Sequence, residues 1–287
     1  MNDKTLLYQL TETSEFMMSF VLVTKQNNVI IIDGGRPEDM PLLKQYVGNR
    51  HVSAWILTHA HHDHVSGFIS EFKKNKLADF DVEKIYYNFP PYYELKERTD
   101  VPNLDYFRYE VNSILPFVEI EPDFKDLAHI VQQGESITID ECKIDFIFTY
   151  HDGLFSNLLN DSSLVFTVTT PNKKVIFLGD LGPEGGDVLY EESRHLLKSD
   201  ICQMAHHGHM NVGMEVYAEI MPTACMWCCA DWLYNEPEIP HYLTDRVQLR
   251  KNQRERMYGT TVTRRWMDIL GVKEHYVTKD GTNTIEL

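Results

Sequence analysis

The apolar positions of this chain fall into short runs that alternate with segments of helical spacing. Runs rich in apolar and β-branched residues predict strands at 6–10, 17–24, 27–35, 52–57, 136–140, 143–150, 163–170, 174–180 and 223–229. Apolar residues at helical spacing predict helices at 37–47, 65–75 and 105–118, another from Val216 onward, and a more polar one at 245–258. This alternation of strands and helices predicts an α/β layered domain.

Three polar segments between predicted strands have the composition of hairpin turns. They are N-N at 27–28, P-N-K-K at 171–174 and D-G at 280–281. We therefore expect antiparallel pairing of the strands on either side of each segment.

The segment 85–126 differs from the rest because aromatic residues and prolines crowd into I-Y-Y-N-F-P-P-Y-Y-E-L. The chain contains no internal repeat or flexible linker, so we expect one domain over 1–287 with this segment as an insertion. Two interpretations stay open for the insertion. It is either a packed loop, or a lid whose aromatic faces bind a cation or a ring above the site.

The chain has 287 residues and a formal net charge of −16 with histidine neutral. A field of this sign repels polyanions, and nonspecific nucleic-acid binding needs many lysine and arginine contacts to phosphates. We therefore expect a small-molecule substrate and no nucleic-acid partner. The argument does not exclude phosphate chemistry at a local metal site.

The first residues lack a signal-peptide pattern, and no apolar run approaches the roughly 20 residues of a membrane helix. The chain has five cysteines, of which Cys225, Cys228 and Cys229 fall in C-M-W-C-C. An odd number in this arrangement argues against a secreted disulfide framework. We expect a cytoplasmic protein without membrane contact, and a buried core strand at these cysteines.

The sequence T-H-A-H-H-D-H directly follows a predicted buried strand. Neutral imidazole and carboxylate are ligands that zinc prefers. His59 and His61 alternate with an alanine on an extended loop, so both can point to one side. Asp63 and His64 follow where the next helix begins and can face a second ion. Two metal ions roughly 3.5–4 Å apart suit hydrolysis, because together they bind the attacking and the leaving oxygen.

Four motifs together resemble the signature of the metallo-β-lactamase superfamily. In chain order they are I-I-I-D-G-G, T-H-A-H-H-D-H-V-S-G, F-L-G-D-L-G at 177–182 and M-A-H-H-G-H at 204–209. The matching elements span about 15–230. The resemblance implies an α/β fold of the four-layer αββα type, with a dinuclear metal site at one edge.

The resemblance also implies a set of ligands for two divalent metal ions. Zinc is the expected metal, with manganese or iron as alternatives. The ions would lower the pKa of a bridging water to roughly 7 and make it a hydroxide nucleophile. The implied ligands are His59 and His61 for the first metal, Asp63 and His64 for the second, Asp180 as the bridge, and His207 to complete the second site.

Three residues receive further roles from the resemblance. His206 would contact the substrate or its leaving group, although which of His206 and His207 binds metal stays open. Asp63 would also orient the hydroxide. Asp33 would hold ligand histidines in the required tautomer.

Many members of the superfamily carry one more histidine for the first metal, before the bridging aspartate. The candidates here are His151 and His129, and neither has the expected small-residue context. N-D-S-S-L-V, which starts at Asn160, instead resembles the branch of DNA-uptake competence proteins and teichoic-acid phosphorylcholine esterases, where H-H-G closes the site. Asn160 would then stand in place of the histidine and leave the first metal with fewer protein ligands.

His61 stands where the diiron oxidoreductase branch has a glutamate, which favours hydrolysis. We therefore expect a metal-dependent hydrolase that acts on a phosphodiester-type small molecule. The alternatives are hydrolysis of lactones, β-lactams or other C–O and C–N bonds, and a metal-binding scaffold without catalysis. Trp232 and His241 are candidates for the pocket rim, and His209 lies close to the H-H-G turn. The basic run 246–256 is expected to be a solvated helix face.

Overall fold

The computed structural model describes residues 3–237 and 258–287, and every count below refers to this part of the chain. The strands β1 to β15 are Leu6–Gln9, Ser19–Val23, Val29–Asp33, His51–Ile56, Asp81–Val82, Ile85–Tyr87, Ala128–Ile130, Ser136–Ile139, Cys142–Phe148, Val165–Thr169, Lys174–Phe177, Ile201–Gln203, Ala224–Trp227, Glu274–Val277 and Asn283–Glu286. The helices α1 to α9 are Met40–Val47, His62–Asn75, Tyr92–Leu95, Leu104–Val118, Leu158–Asp161, Pro183–Ser193, Met214–Ile220, Asp231–Tyr234 and Thr260–Leu270.

The strands form two sheets of mixed direction. The first has the order β15-β1-β2-β3-β4-β6-β7, with β5 also paired to β4. The second has the order β14-β13-β12-β11-β10-β9-β8. In the first sheet β3, β4, β6 and β7 are parallel, and in the second β11 to β14 are parallel. Parallel strands bring their carboxyl ends to one edge of a sheet, where α/β proteins build their sites.

The two sheets pack face to face, and helices cover the outer face of each. Between the sheets, Phe20 of β2 meets Phe177 of β11 with their ring centroids 5.2 Å apart. Phe68 of α2 packs on the outer face of the first sheet. Tyr217 of α7 and Met267 of α9 pack on the outer face of the second. This arrangement of helices, two sheets and helices confirms the predicted αββα fold.

Two of the three predicted hairpins are confirmed, and the third is wrong. β2 pairs antiparallel with β3 across 27–28, and β10 with β11 across 171–174. β14, however, pairs with β13 in the second sheet, whereas β15 pairs with β1 in the first. The turn at 280–281 therefore crosses from one sheet to the other. Alternation with one buried face looks the same for strands that pair and for strands that part, so the sequence could not distinguish them.

The aromatic-rich segment 85–126 contains more regular structure than the sequence predicts, because β6 and α3 precede α4. α4 itself begins one residue before the predicted helix 105–118 and ends with it. Phe117 of α4 packs against Phe68 of α2, with ring centroids 6.2 Å apart. Phe107 and Val111 pack on Leu158 of α5. Among the described residues, no helix has both the length and the apolar character needed to cross a bilayer.

Candidate metal centre

The predicted ligands follow the carboxyl ends of parallel strands from both sheets. His59 comes after β4, Asp180 after β11 and His207 after β12. Asp63 and His64 form the first turn of α2, which begins three residues earlier than the predicted helix 65–75. The edge where the two sheets meet therefore collects side chains that lie far apart in the sequence.

Four of these side chains converge on one point. Asp63, His64, Asp180 and His207 each offer a donor atom, and these atoms all lie within 4.8 Å of one another. His207 Nε2 is 3.1 Å from Asp63 Oδ2 and 3.2 Å from Asp180 Oδ2. His64 Nε2 is 3.2 Å from Asp180 Oδ1. Two ligand atoms of a tetrahedral zinc ion lie about 3.3 Å apart, given bonds of about 2.0 Å, so the spacing fits a metal ion.

Hydrogen bonds at the outer nitrogens determine which nitrogen of each histidine is protonated. His64 Nδ1 donates to Asp33 Oδ2 at 2.7 Å, and His207 Nδ1 donates to the carbonyl oxygen of Cys228 at 2.6 Å. With a metal ion bound, both rings would be neutral and Nε2 of each would offer its lone pair to the ion. Without one, the carboxylates beside Nε2 favour a proton on that nitrogen, because they outweigh burial and raise the pKa of both rings. Among the described residues, His64 Nε2 and Asp180 Oδ1 are buried without a hydrogen-bond partner. These residues therefore fit a metal ion.

The charges around this point favour a cation. Burial lowers the pKa of His207, but the Asp180 and Asp63 carboxylates outweigh it and raise the pKa to about 10. Burial raises the pKa of Asp180, but His207 and His64 outweigh it and hold the pKa well below its usual range. The carboxylates therefore stay ionised and attract positive charge, whether a proton or a metal ion.

His59 and His61 form a second pair of converging nitrogens. His59 Nε2 is 3.1 Å from His61 Nδ1 and 3.9 Å from Asp180 Oδ2. His59 Nδ1 lies 3.2 Å from the hydroxyl oxygen of Thr58, which itself donates to Asp33. Thr58 therefore accepts a hydrogen bond from Nδ1–H of His59, and His59 Nε2 is left unprotonated. Asp180 has oxygens toward both groups of histidines, as a bridging ligand requires.

Glu110 on α4 contacts the other side of His61. Its Oε1 is 3.3 Å from His61 Nε2, and its Oε2 accepts from the backbone N–H of Leu159 at 3.1 Å. Glu110 is 1% exposed. Glu110 lies outside the four sequence motifs, although its position carries a signal. Glu110 falls on the apolar face of the predicted helix, between Phe107 and Ile114 at helical spacing.

Asn160 and His206 lie next to each other. Asn160 Nδ2 is 3.2 Å from His206 Nε2, and Asn160 Oδ1 is buried without a hydrogen-bond partner among the described residues. Burial, together with the nearby His209, lowers the pKa of His206 to about 3, so this ring is neutral. Of the two adjacent histidines the structure brings His207 into the group of four donors, and His206 stays half-buried beside Asn160.

The backbone adopts a rare conformation at three of these positions. Asp33, His206 and His207 have φ angles of 56°, 47° and 55°. Non-glycine residues seldom occupy this left-handed region, at a cost on the order of 1–3 kcal/mol each, and such residues cluster at functional sites. Gly208 continues the turn at a φ of 98°, and a Cβ there would lie 2.6 Å from the ring of Trp227. The H-H-G sequence thus forms a tight turn beneath the donor group.

Close packing also requires a glycine at Gly67, the last residue of T-H-A-H-H-D-H-V-S-G. Its N–H donates to the carbonyl oxygen of Gly35 at 2.9 Å. A Cβ at this position would lie 2.6 Å from the carbonyl oxygen of Gly34. The glycine lets α2 approach the loop after β3, which brings Asp63 and His64 to the strand ends.

Two other histidines that the sequence suggested lie elsewhere, which corrects the candidate role of His151. His151 Nε2 is 3.1 Å from Gln133 Oε1 and 3.7 Å from Glu192 Oε2, and its ring stacks on Phe148. β9 ends at Phe148, so His151 turns into the loop that follows instead of toward the ligands. His129 lies on β7, where a neighbouring glutamate pairs with it.

Aromatic side chains line the His207 side of the centre. Phe16 meets His207 edge-on with ring centroids 5.0 Å apart, and Trp232 meets Phe16 at 5.7 Å. The guanidinium group of Arg36 lies 5.5 Å from the centre of the Phe16 ring. Trp232 is 57% exposed, so part of its side chain is open to solvent. These three residues, Phe16, Arg36 and Trp232, are called the aromatic rim below.

The remaining predicted positions differ in what the structure describes. His209 Nδ1 is 2.9 Å from Glu236 Oε2, so this histidine supports the loop after the H-H-G turn. His241, the basic run 246–256 and, except for its last residue, the predicted helix 245–258 lie outside the described residues. The cysteines of C-M-W-C-C are buried free thiols in and after β13, as predicted.

An αββα sandwich with histidines and aspartates that converge at its strand ends is the fold of a class of metal-dependent hydrolases. The family model of the Metallo-beta-lactamase superfamily matches residues 15–215, which is more than half of the chain. The chain therefore belongs to this superfamily. No curated protein matches the sequence.

Solved structures of low sequence identity share the fold. The metallo-beta-lactamase fold protein YhfI from Bacillus subtilis is 14% identical with a TM-score of 0.53, and the match covers 99% of this chain and 100% of that one. CmlA, a diiron β-hydroxylase from Streptomyces venezuelae, is 10% identical with a TM-score of 0.53. The match covers 100% of this chain and 55% of CmlA. At these identities the similarity shows the fold alone.

Proposed function

We propose that this protein is a hydrolase that holds two divalent metal ions and cleaves a phosphodiester-type small molecule. The convergence of Asp63, His64, Asp180 and His207 carries this proposal. Burying such a group of ionised side chains costs several kcal/mol per ion unless their charges are compensated. A bound metal ion would compensate the carboxylates and would take the place of the protons on the two histidine nitrogens that face them.

The residues of the centre have separate tasks in this proposal. His59 and His61 would hold the first metal, Asp63, His64 and His207 would hold the second, and Asp180 would contribute its carboxylate to both. Bound there, the metal ions supply an activated water and positive charge that stabilises the transition state. Asp63 orients the attacking water, because its Oδ2 already lies at the donor group. Asn160 and His206 present polar atoms at the edge of the centre, where substrate oxygens would lie.

The substrate class rests on sequence features of the centre. N-D-S-S-L-V and H-H-G resemble the branch of competence-protein hydrolase domains and phosphorylcholine esterases, and we propose that the chain is closest to this branch. His61 in place of a glutamate favours hydrolysis over oxygen chemistry. The net charge of −16 favours a small phosphodiester over a polyanion such as nucleic acid.

The metal and the compartment complete the proposal. Histidine and aspartate ligands suit zinc, although manganese and iron accept the same donors. The five cysteines are all free and buried. Their reduced state suits the cytoplasm, where disulfides are rare.

The experiment that tests the proposal combines metal analysis with hydrolysis assays. Mass spectrometry would give the metal content per chain of the purified protein. Turnover of bis(p-nitrophenyl) phosphate, p-nitrophenyl phosphorylcholine and nitrocefin would then be measured after stripping and reloading with zinc, manganese or iron. We expect about two metal ions per chain and turnover of the phosphodiesters. The stripped protein is the matched control and should be inactive.

Each alternative predicts a different result in the same assay. Two metal ions with turnover of nitrocefin or of lactones, but of no phosphodiester, would replace the substrate class and keep the centre. Tightly bound metal without turnover of any ester would favour a metal-binding scaffold. Absence of metal even after reloading would refute the proposed centre itself.

A further inference from the structure

We infer that Glu110 is a positioning residue that holds His61 in its metal-binding tautomer and so sets the affinity of the first metal site. The inference rests on the metal centre of the proposed function. It assigns a role in metal binding to α4, which lies in the segment 85–126 and outside the four motifs of the sequence.

The contacts of Glu110 leave its carboxylate little freedom. The side chain is 1% exposed, so water does not compete for it. Its Oε2 accepts from the backbone N–H of Leu159 at 3.1 Å, which ties it to α5. Its Oε1 lies 3.3 Å from His61 Nε2. An ionised carboxylate accepts but does not donate, so the proton of this contact belongs to His61 Nε2.

The tautomer follows from this contact. A neutral imidazole that is protonated at Nε2 has its lone pair at Nδ1. His61 Nδ1 is the atom that lies 3.1 Å from His59 Nε2, which Thr58 leaves unprotonated. Two lone pairs thus point at one spot with the spacing of two ligands on a single metal ion. Carboxylate–histidine–metal arrangements of this kind orient the ring and raise the basicity of the ligand nitrogen.

A neutral amide cannot replace the carboxylate here. Glutamine at 110 would have one acceptor oxygen for two donors, the N–H of Leu159 and Nε2–H of His61. If its oxygen faces Leu159, its NH₂ group faces His61 Nε2 and stabilises the opposite tautomer, with the proton at Nδ1. If its oxygen faces His61, the NH₂ group meets the N–H of Leu159. Either arrangement weakens the first site.

The position of Glu110 on α4 is part of the same packing. Ile114, one turn further along the helix, packs with Ala60 between the two ligand histidines, and with Leu159. The second site has other supports, because Asp33 holds His64 and the carbonyl of Cys228 holds His207. A change at Glu110 should therefore act on one metal site and spare the other.

The test is a titration of the metal-free protein with Zn²⁺ or Co²⁺. Calorimetry measures the binding of either ion, and the visible spectrum reports bound cobalt. We expect Glu110→Gln to weaken one of two sites by about 10- to 100-fold and to leave the other unchanged. Glu119→Gln is the matched control, because Glu119 caps the same helix, is 55% exposed and pairs with Lys73. The control should bind both ions as the wild type does.

A second measurement needs no substitution and so does not depend on the variant folding. In ¹⁵N-labelled wild-type protein loaded with zinc, long-range proton–nitrogen correlations identify which nitrogen of each histidine carries hydrogen. We expect hydrogen on Nε2 of His61 and metal on its Nδ1. Hydrogen on Nδ1 would overturn the inference. A Glu110→Gln variant that binds both metal ions with wild-type affinity would also overturn it. A wild-type protein that binds no metal would instead refute the proposed function.

Discussion

The two halves of the proposed metal centre are built from different parts of the fold. The second-metal half, with Asp63, His64 and His207, has its outer nitrogens held by Asp33 and by the backbone of Cys228, both at strand ends. The first-metal half consists of two histidines on the loop between β4 and α2. His59 is held by Thr58, which donates to Asp33, whereas His61 contacts Glu110 of α4, which accepts from α5. The second half is therefore held at strand ends, and the first half depends in part on the helices α4 and α5.

The two halves also differ in the number of ligand atoms that converge. In the second half four ligand atoms, from Asp63, His64, Asp180 and His207, lie within 4.8 Å of one another. In the first half two nitrogens converge at 3.1 Å. Both halves contain buried polar atoms without a hydrogen-bond partner among the described residues, namely Asn160 Oδ1 and Asp161 Oδ2 on one side and His64 Nε2 and Asp180 Oδ1 on the other. A metal ion in the second half would therefore have more protein ligands than one in the first. We expect the second half to bind its metal more tightly.

The largest effect is expected where the two halves share a ligand. Asp180→Asn removes the charge that faces both groups of histidines, so both metal ions should weaken and turnover should fall by about 10³-fold or more. Metal content and phosphodiester turnover would check this, with circular dichroism to establish that the fold is intact. Asp123→Asn, which changes an exposed aspartate paired with Lys76, is the control. An active Asp180→Asn enzyme would remove the bridging role.

Removal of one ligand from each half tests the comparison directly. His61→Ala should leave the tighter second site intact, with about one metal ion per chain. His207→Ala should weaken that tighter site by more than about 100-fold, which is the upper range for changes at residues that only support a ligand. Metal titration of both variants measures this. If His61→Ala instead loses both ions, the two halves are not independent and the comparison is wrong.

Substitution of Asp161 measures how much the burial of a carboxyl group beside the first half lowers the free energy of unfolding. Burial raises the pKa of its carboxyl to about 7 from an ordinary 3.8, although the N–H of Gly185 donates to it. As the pH rises from about 4 to about 7, the Asp161 carboxyl ionises in the unfolded chain before it ionises in the folded protein. The free energy of unfolding therefore falls over this range. Asp161→Asn should avoid this loss. In metal-free protein its advantage over wild type should grow across that range to roughly 2–4 kcal/mol and then stay constant.

Chemical denaturation at several pH values, with a chelator present, measures this advantage. The amide keeps an oxygen for the N–H of Gly185. The prediction is wrong if the difference in unfolding free energy between wild type and Asp161→Asn does not change over this range. Other contacts would then stabilise the ionised Asp161 carboxylate.

The smallest expected effect concerns the aromatic rim, which lies only on the second-metal side. Trp232→Ala removes an exposed ring that a substrate group could contact, so KM should rise about 3- to 10-fold at nearly constant kcat, as for the loss of roughly 1 kcal/mol of uniform binding. Met221→Ala is the control. This exposed residue lies between α7 and β13, at the opposite edge of the parallel strands. A change in kcat alone would argue against a binding role.

Local patterns predicted most of the strands and the helix α4 because burial of one face imposes a period of two or 3.6 on the residues. They also identified His59, His61, Asp63 and His64, which lie close together in the chain. The same reasoning paired β14 with β15 incorrectly, since alternation reports burial and not the partner strand. It also proposed His151 from its place between two motifs, without information on where β9 ends.

The sequence by itself determined the class of fold and proposed the donor residues, because periodic burial and imidazole-carboxylate chemistry are properties of neighbouring residues. The tertiary structure alone decided which atoms face one another. Asp180 and His207 meet Asp63 only because both sheets bring parallel strand ends to one edge. Glu110 reaches His61 only because the apolar face of α4 packs beside the loop after β4. Contacts between residues far apart in the chain depend on packing, and no local pattern records them.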